Sequence, residues 1–286
     1  MKFKYSITLS SFKDIIEQAE RILETITSQG FDAVEMFGEP SVMNSKNLAE
    51  SIRSFNISVS GVTGMWGKMG HDARKRRLLS LDSNIVTYSV DYVRDIIVMC
   101  HELDGSEVNL CLFADEESEI YDRNHGQVPE NHKQHALKKS IPILIDLSKY
   151  ARDYGVQLLL EPLNRYNTPF CTTAMDAISI AQQLNQDNFG VLLDTYHMNI
   201  EEDSFADAIA QCKGLLRHTH FADNNRKMPG RGHIDFKTIV DSLHKIGYND
   251  FISFEPTLKN TNFESETRNG LEFVKKIEKS VIATEK

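Results

Sequence analysis

The chain has 286 residues, of which 41% are hydrophobic and 26% charged, and its net charge at pH 7 is -9, from 32 Lys and Arg against 41 Asp and Glu. This balance is typical of a globular protein with a full apolar core, and it excludes a disordered or fibrous chain. Negative charge repels a phosphate backbone, and no run approaches the ~18 apolar residues that a membrane span needs, so we expect neither a nucleic-acid nor a membrane partner.

The cysteines and the first residues indicate a cellular compartment. The four cysteines are scattered and form no Cys-x-x-Cys pair, which favours a reducing compartment over a disulfide framework or a zinc knuckle. Residues 1–7 lack the long apolar core and the small-residue cleavage site of a signal peptide. We therefore expect a cytoplasmic protein.

Short apolar runs alternate along the chain with longer amphipathic stretches. The predicted strands cover residues 6–9, 33–37, 57–62, 108–113, 156–161, 189–194, 215–221 and 251–255. The predicted helices cover residues 11–29, 83–103, 134–154, 173–185, 204–212, 236–246 and 263–282. Gly30 stands where a glycine would end the first helix.

This alternation predicts the fold class. We interpret it as eight strand–helix units without a Pro/Gly/Ser-rich linker, which predicts one (β/α)₈ TIM-barrel domain over residues 1–286. A doubly wound open sheet is the alternative, and the lack of a Gly-x-Gly-x-x-Gly turn after the first strand disfavours it. The polar stretch from Ala114 to Glu130 is predicted to be a long loop of the kind that often serves as a lid.

Four metal-competent side chains end consecutive predicted strands. Glu161 ends the fifth strand, Asp194 the sixth, His220 the seventh and Glu255 the eighth, with spacings of 33, 26 and 35 residues. The active site of a TIM barrel lies at the C-terminal ends of its strands. We therefore expect these four side chains to meet at one rim.

The chemistry of these side chains favours a divalent metal ion. Three carboxylates gathered without a cation would repel one another, and an ion removes that conflict. Three carboxylates and one imidazole suit Mn²⁺, Mg²⁺ or Co²⁺ better than the thiolate-rich sites of structural zinc, and catalytic Zn²⁺ stays open as an alternative.

The sequence around these residues is more specific than their spacing. The informative runs are Glu-Pro-Leu-Asn-Arg-Tyr-Asn at 161–167, Asp-Thr-Tyr-His-Met-Asn-Ile-Glu-Glu at 194–202, His-Thr-His-Phe-Ala-Asp-Asn-Asn-Arg at 218–226 and Ser-Phe-Glu-Pro at 253–256. They resemble the xylose-isomerase-like TIM-barrel sugar isomerase/epimerase superfamily, and within it the ketose 3-epimerases of the D-tagatose/D-psicose (allulose) type. The resemblance is strong over residues 140–260, whereas the first half carries few diagnostic residues.

The resemblance implies a set of roles. Glu161, Asp194, His220 and Glu255 would hold one divalent ion, usually manganese, and Glu161 and Glu255 would be the acid/base pair on opposite faces of the substrate. His197, in the loop after the sixth strand, and Arg226 would hydrogen-bond substrate oxygens. The family's relatives are commonly dimers or tetramers, so a homodimer or homotetramer is allowed.

One position departs from the epimerase pattern. The epimerases carry a second glutamate six residues after the first, and here that position is Asn167. An amide removes a charge and adds donors, so Asn167 leaves the identity of the small-molecule sugar substrate open.

Two carboxylates beside a metal suit proton transfer on a polyhydroxylated ketone. A metal-bound carbonyl and hydroxyl acidify the adjacent C–H, and one carboxylate can take that proton to give a cis-enediolate. If the second carboxylate returns a proton on the other face, the carbon is epimerised. If the proton returns to the adjacent carbon, the outcome is aldose–ketose isomerisation, and the Glu161–Glu255 pair favours epimerisation.

Other candidates are weaker. Glu35 in the second strand and Trp66 could contact substrate, but a structural carboxylate and ordinary loop packing are the alternatives. His218 is expected to orient a neighbouring ligand, because it faces the same side of its strand as His220. The basic run at 74–77 is expected to be a solvated face, and His132 and His135 are expected at the surface.

Other functions stay open at this point. An endonuclease-type phosphodiesterase on the same barrel would use a multi-metal cluster and a basic groove. Keto-inositol and hydroxypyruvate isomerases are neighbouring alternatives within the resemblance. A sugar-binding barrel without catalysis would need no proton-transfer pair.

Overall fold

A computed structural model describes residues 2–13, 18–41, 43–65, 75–114, 129–259 and 262–284. Within them, eight parallel strands form one closed barrel in which each strand pairs with its sequence neighbours and the last strand pairs with the first. The prediction of a (β/α)₈ TIM barrel is confirmed, and the closed sheet excludes the doubly wound alternative.

The strands follow the predicted apolar runs to within a few residues, because runs that are buried on both faces are typical of strands under a layer of helices. They are β1 (Lys4–Thr8), β2 (Ala33–Phe37), β3 (Ser58–Thr63), β4 (Glu107–Leu110), β5 (Gln157–Leu160), β6 (Phe189–Asp194), β7 (Leu216–Phe221) and β8 (Phe251–Phe254).

Helices surround this barrel. They are α1 (Ala19–Gln29), α2 (Ser45–Ser54), α3 (Ser83–Glu102), α4 (Glu130–Asp153), α5 (Ala174–Leu184), α6 (Thr195–Glu201), α7 (Phe205–Gln211), α8 (Phe236–Ile246) and α9 (Phe263–Thr284). No helix in these described segments combines the length and apolar character that a membrane crossing requires.

The first predicted helix was wrong at its start. A 3₁₀ turn covers Leu9–Phe12, and α1 begins only at Ala19, while residues 14–17 lie outside the described residues. The predicted end is confirmed, because Gly30 caps α1 with a φ of 82°, a conformation that glycine adopts without steric cost.

Two helices were not predicted. The polar α2 buries only Ala49 and Ile52, so few apolar residues mark it as a helix, although Asn44 caps its N-terminus. The short α6 begins directly after β6, with Asp194 as its N-cap. Of the predicted lid at 114–130, residues 115–128 lie outside the described residues.

The strand register sets the height of the rim residues. Asp194 is paired with His220 between β6 and β7, and His220 is paired with Ser253 between β7 and β8. Glu255 and Glu161 each follow the last residue of their strand. The four predicted metal ligands therefore stand together at the C-terminal end of the barrel.

Candidate active site

The structure brings together the four side chains that end β5 to β8. Glu161, Asp194, His220 and Glu255 each offer one ligand atom, and these atoms all lie within 4.8 Å of one another. Glu161, Asp194 and His220 are buried, whereas the Glu255 side chain is 14% exposed. The set is compact enough for one ion to contact all four residues.

Strand β4 and the residue that follows it hold the Glu161 carboxylate. Its Oε2 accepts a 2.7 Å hydrogen bond from Nδ2 of Asn109 and a weak one, at 3.6 Å, from the Cys111 thiol. Its Oε1 lies 3.6 Å from Nδ1 of His220. One oxygen is thus anchored by protein while the other faces the cluster. Sequence analysis missed Asn109 because its side chain meets Glu161 only once the barrel has closed.

The two oxygens of the Asp194 carboxylate have different roles. Oδ1 accepts from the backbone N–H of Tyr196 at 2.8 Å and so caps α6. Oδ2 faces the cluster, where it pairs with Arg226. The cap fixes the rotamer that places Oδ2 at the rim.

The His220 ring provides a test of whether these residues fit a metal. Its Nε2 lies 3.1 and 3.0 Å from the two oxygens of Glu35, so Nε2–H donates to that carboxylate. Its Nδ1 has no hydrogen-bond partner among the described residues, and it lies 3.2 Å from Oε2 of Glu255. A buried ring nitrogen facing carboxylates, with its other nitrogen bound to a carboxylate, is the arrangement of a metal-ligating histidine.

The ionisation of the cluster agrees with this fit. Burial disfavours the imidazolium, but Glu35 and Glu255 outweigh it and raise the pKa of His220 well above its ordinary value. Burial raises the pKa of Glu255, but the positive charges of Arg226 and His220 outweigh burial and lower this pKa to about 2. The site thus attracts positive charge, which a hard divalent ion supplies to an oxygen-rich donor set.

Arg226 projects from the loop after β7 into the same site. Its guanidinium forms ion pairs with Asp194 and Glu255, and its Cζ lies 4.8 Å from the centre of the Tyr196 ring. The Arg226 backbone is left-handed, with a φ of 57°, and its carbonyl accepts a 2.7 Å hydrogen bond from the Thr257 N–H. The loop backbone therefore fixes where the guanidinium emerges.

A buried aspartate organises the loop that carries this arginine. The Asp223 carboxylate accepts hydrogen bonds from backbone N–H groups of the loop, those of Asn224, Gly230, Gly232 and Ile234. A Cβ at Gly232 would lie 2.3 Å from Oδ1 of Asp223, so the loop requires glycine at this close approach. The sequence alone did not single out Asp223.

His197 lies in α6, so its predicted place in a loop was wrong, because Asp194 starts a helix directly after the strand. The His197 ring is buried, at 5% exposure. Its Nε2 lies 3.7 Å from Oδ2 of Asp194, and its Nδ1 faces Asn164. Burial lowers the pKa of His197 although Asp194 opposes the shift, so the ring is neutral near pH 7.

Glu35 lies in the barrel interior, beneath the four rim residues. It accepts hydrogen bonds from Thr63 and Ser253 at 2.7 Å, in addition to those from His220 and, at 3.3 Å, His218. With 3% exposure and these donors around it, Glu35 has the structural setting that sequence analysis gave as the alternative to substrate contact.

His218 links this carboxylate to a second one. Its Nε2 lies 3.3 Å from Glu35, and its Nδ1 forms an ion pair with Glu107 at the start of β4. Burial disfavours the imidazolium, but Glu107 and Glu35 outweigh it and raise the pKa of His218 to about 9. Glu107, His218, Glu35 and His220 thus form a continuous buried chain that leads to the rim.

The remaining candidates fall outside this cluster. Asn167 is exposed on the turn after β5, and Trp66 lies outside the described residues. His132 and His135 are exposed on α4, as predicted, where they line an apolar cavity of about 390 Å³ between α3 and α4.

The prediction of a solvated face at 74–77 was wrong for Arg76. That side chain is 3% exposed, forms two hydrogen bonds of 2.8 and 2.6 Å with Glu39, and stacks 4.0 Å from the Tyr92 ring centre. A buried carboxylate partner in good hydrogen-bonding geometry offsets part of the desolvation cost that otherwise keeps arginine at the surface. Arg74 lies outside the described residues.

Comparison with known proteins places this geometry in context. The family model described as xylose isomerase-like TIM barrel matches residues 23–277. D-psicose 3-epimerase of Ruminiclostridium cellulolyticum is 29% identical over 238 residues, covering 83% of this chain and 78% of its own. 3-Dehydro-D-guloside 4-epimerase of Escherichia coli is 27% identical over 248 residues, covering 84% and 88%.

Among solved structures, D-psicose 3-epimerase with D-tagatose from Clostridium cellulolyticum H10 superposes with a TM-score of 0.81. It is 24% identical, and the match covers 96% of this chain and 99% of that one. At this level of identity the superposition supports the fold alone.

Proposed function

The chain belongs to the xylose isomerase-like TIM barrel family, and from this premise we propose that it is a divalent-metal-dependent 3-epimerase of a ketose or a closely related keto-sugar. The chain is an enzyme of the isomerase class, in line with its curated sugar-epimerase relatives. The observation that carries the proposal is that Glu161 and Glu255 stand at one rim and both face Nδ1 of His220, which has no hydrogen-bond partner in the part of the chain that the structure describes.

The ion would be held by Glu161, Asp194, His220 and Glu255. Manganese is our first expectation, with magnesium, cobalt and zinc as alternatives, because the donor set is dominated by carboxylate oxygens. When bound, the ion polarises the substrate carbonyl and so acidifies the adjacent C–H. Glu35 would set the orientation of His220 by accepting its Nε2–H.

The two glutamates would carry the proton transfer. One carboxylate takes the proton from the carbon beside the carbonyl, and the C–H bonding electrons move into the developing enediolate. The other glutamate, protonated, returns a proton to the same carbon on the opposite face, which inverts the stereocentre. Because the reverse reaction uses the same pair, each glutamate is the base for one epimer and the acid for the other.

His197 and Arg226 would hold substrate oxygens at the rim. The neutral His197 offers an N–H donor, and the Arg226 guanidinium offers charged donors on the side of Asp194 and Glu255. Such donors fix the substrate between the two glutamates and stabilise the charge that develops on its oxygens.

Asn167 bears on the substrate class. It is exposed and uncharged where the ketose 3-epimerases carry a glutamate. Because the relative from Escherichia coli acts as a 3-dehydro-guloside 4-epimerase and matches 84% of this chain, a keto-glycoside is the second candidate substrate. We expect a free ketose first, because the relative named D-psicose 3-epimerase is slightly more similar.

A substrate panel in deuterated water tests this proposal. Ketoses, 3-keto-glycosides and keto-inositols are each incubated with the Mn²⁺-loaded enzyme, and NMR follows stereochemistry and deuterium content. We expect inversion of one carbon with one solvent deuterium on it. Glu161→Gln and Glu255→Gln should each abolish inversion. Inversion without deuterium incorporation, or full activity in both variants, would contradict the proposal.

A further inference from the structure

The Nδ1 atom of His197 faces two hydrogen-bond donors, both from Asn164. The backbone N–H of Asn164 lies 3.1 Å from Nδ1 of His197, and Nδ2 of the Asn164 amide lies 2.8 Å from the same atom. Both residues are buried. A backbone N–H can only donate, so Nδ1 must present its lone pair and carry no proton.

The orientation of the Asn164 amide has independent support. Its Oδ1 accepts a 3.0 Å hydrogen bond from the backbone N–H of Tyr166, so the NH₂ group has to face the imidazole. A flipped amide would set two donors against each other at Tyr166 and remove the donor from His197. The amide and the backbone of Asn164 therefore impose the same protonation on Nδ1.

The turn that carries Asn164 is itself anchored. The Asn164 carbonyl accepts from the backbone N–H of Asn167 at 2.9 Å and of Thr168 at 3.3 Å, and the Thr168 hydroxyl donates to the Leu112 carbonyl at 2.7 Å. Asn164 thus sits on a turn tied to the chain after β4, three residues beyond Glu161. This anchoring gives the two donors a fixed position.

We propose that Asn164 is a positioning residue, which holds His197 as the neutral tautomer with its proton on Nε2 and directs that N–H at a substrate oxygen. The Nε2 atom lies 3.7 Å from Oδ2 of Asp194, which is beyond hydrogen-bond length, so this carboxylate does not engage the N–H. His197 then acts as a donor at the rim and takes no proton from the substrate.

The claim that the Nε2–H of His197 points at a substrate oxygen rests on the proposed function. The claim that His197 is the Nε2-protonated tautomer does not. The tautomer follows from contacts within the protein alone. It can therefore be tested without any substrate, and the two parts of the inference have separate readouts.

Nitrogen NMR of histidine-labelled enzyme tests the tautomer. The Mg²⁺-loaded protein is used because Mg²⁺ is diamagnetic, and His197→Gln assigns the signal by its loss. We expect an unprotonated Nδ1 and a protonated Nε2. A protonated Nδ1 in the native enzyme would overturn the inference, whatever the enzyme does to sugars.

Two variants at position 164 test the role of the amide. Asn164→Ala keeps the backbone donor, so Nδ1 should stay unprotonated. Asn164→Asp sets a carboxylate oxygen, which can only accept, against Nδ1 beside the retained backbone donor, so the protonated fraction of Nδ1 should rise above that of the wild type. Asn47→Asp, on the exposed first turn of α2, makes the same charge change as a control and should leave the spectrum unchanged. A protonated fraction of Nδ1 no higher in Asn164→Asp than in the wild type would show that the amide does not contribute to setting the ring.

Substitutions of His197 test the donor role. The amide of a glutamine places an N–H near the position of Nε2, so His197→Gln should keep kcat within about 10-fold of the wild type. His197→Ala removes the donor and should lower kcat by about 100-fold or more. Equal losses in both variants would overturn the donor role. Inactivity of the wild type on the whole sugar panel would instead refute the proposed function and leave the tautomer standing.

Discussion

Glu35 on β2 accepts a hydrogen bond from Nε2 of His220 on β7 at 3.0 Å, across the interior of the barrel. These residues are 185 positions apart in the sequence, yet this contact turns the other nitrogen of His220 toward the rim carboxylates. The candidate metal site therefore depends on Glu35. Within the described residues, Glu35 forms no hydrogen bond with the other three candidate ligands, Glu161, Asp194 and Glu255.

This relationship predicts the effect of Glu35→Gln. The amide would set its NH₂ group against one of the four donors that surround Glu35, so the His220 ring should lose its fixed orientation. We expect Mn²⁺ affinity, measured by titration calorimetry, to fall by about 10–100-fold. Glu107→Gln, which reaches His220 only through His218, should cost less. Wild-type Mn²⁺ affinity in Glu35→Gln would contradict this account.

The buried Arg76–Glu39 pair predicts a stability effect away from the active site. Arg76→Ala would leave the Glu39 carboxylate buried and unpaired, so the free energy of unfolding in urea should fall by about 3–5 kcal/mol. The double variant Glu39→Leu with Arg76→Met should recover most of that loss. As a control, Arg53→Ala breaks the exposed pair with Asp104 and should cost less than about 1 kcal/mol. Equal losses in the single and double variants would contradict the prediction.

The cysteines should be unreactive in the native protein. Cys100, Cys111, Cys171 and Cys212 are all buried thiols. Burial, with a smaller contribution from Glu202, raises the pKa of Cys212 to about 12, and burial also raises the pKa of Cys100 and Cys171. Since the thiolate is the reactive form, labelling by a disulfide reagent at pH 8 should be slow and should become complete on unfolding. Rapid labelling of the folded protein would contradict this burial.

The barrel and the four rim residues could be predicted because each depends on local sequence. A buried apolar run identifies a strand, and the polar residues at its C-terminal end stand at the rim, so Glu161, Asp194, His220 and Glu255 follow from position alone. The resemblance supplied the roles that geometry does not, such as those of His197 and Arg226.

The residues that support the rim could not be predicted in this way. Asn109 and Asn164 act through partners that approach only after the barrel has closed, and no local pattern marks them. Glu35 was recognised as a candidate in the second strand, but its contact with His220, 185 positions away, was not predicted. Asp194 was recognised as a rim carboxylate, but its second role as a helix cap, and with it α6, was missed. Arg76 was misplaced because a basic run is usually solvated, and its buried partner Glu39 lies 37 positions earlier.

The central claim is that Glu161 and Glu255 serve opposite faces of one carbon, and hydrogen exchange in the single variants tests it most directly. Each epimer of the identified substrate is incubated in deuterated water with Glu161→Gln or Glu255→Gln at saturating Mn²⁺, and deuterium at the reacting carbon is measured by NMR. We predict that neither variant inverts the carbon, and that each exchanges the proton of one epimer only, the epimer differing between the two variants. Exchange of the same epimer by both variants, or inversion at the wild-type rate by either, would contradict the account.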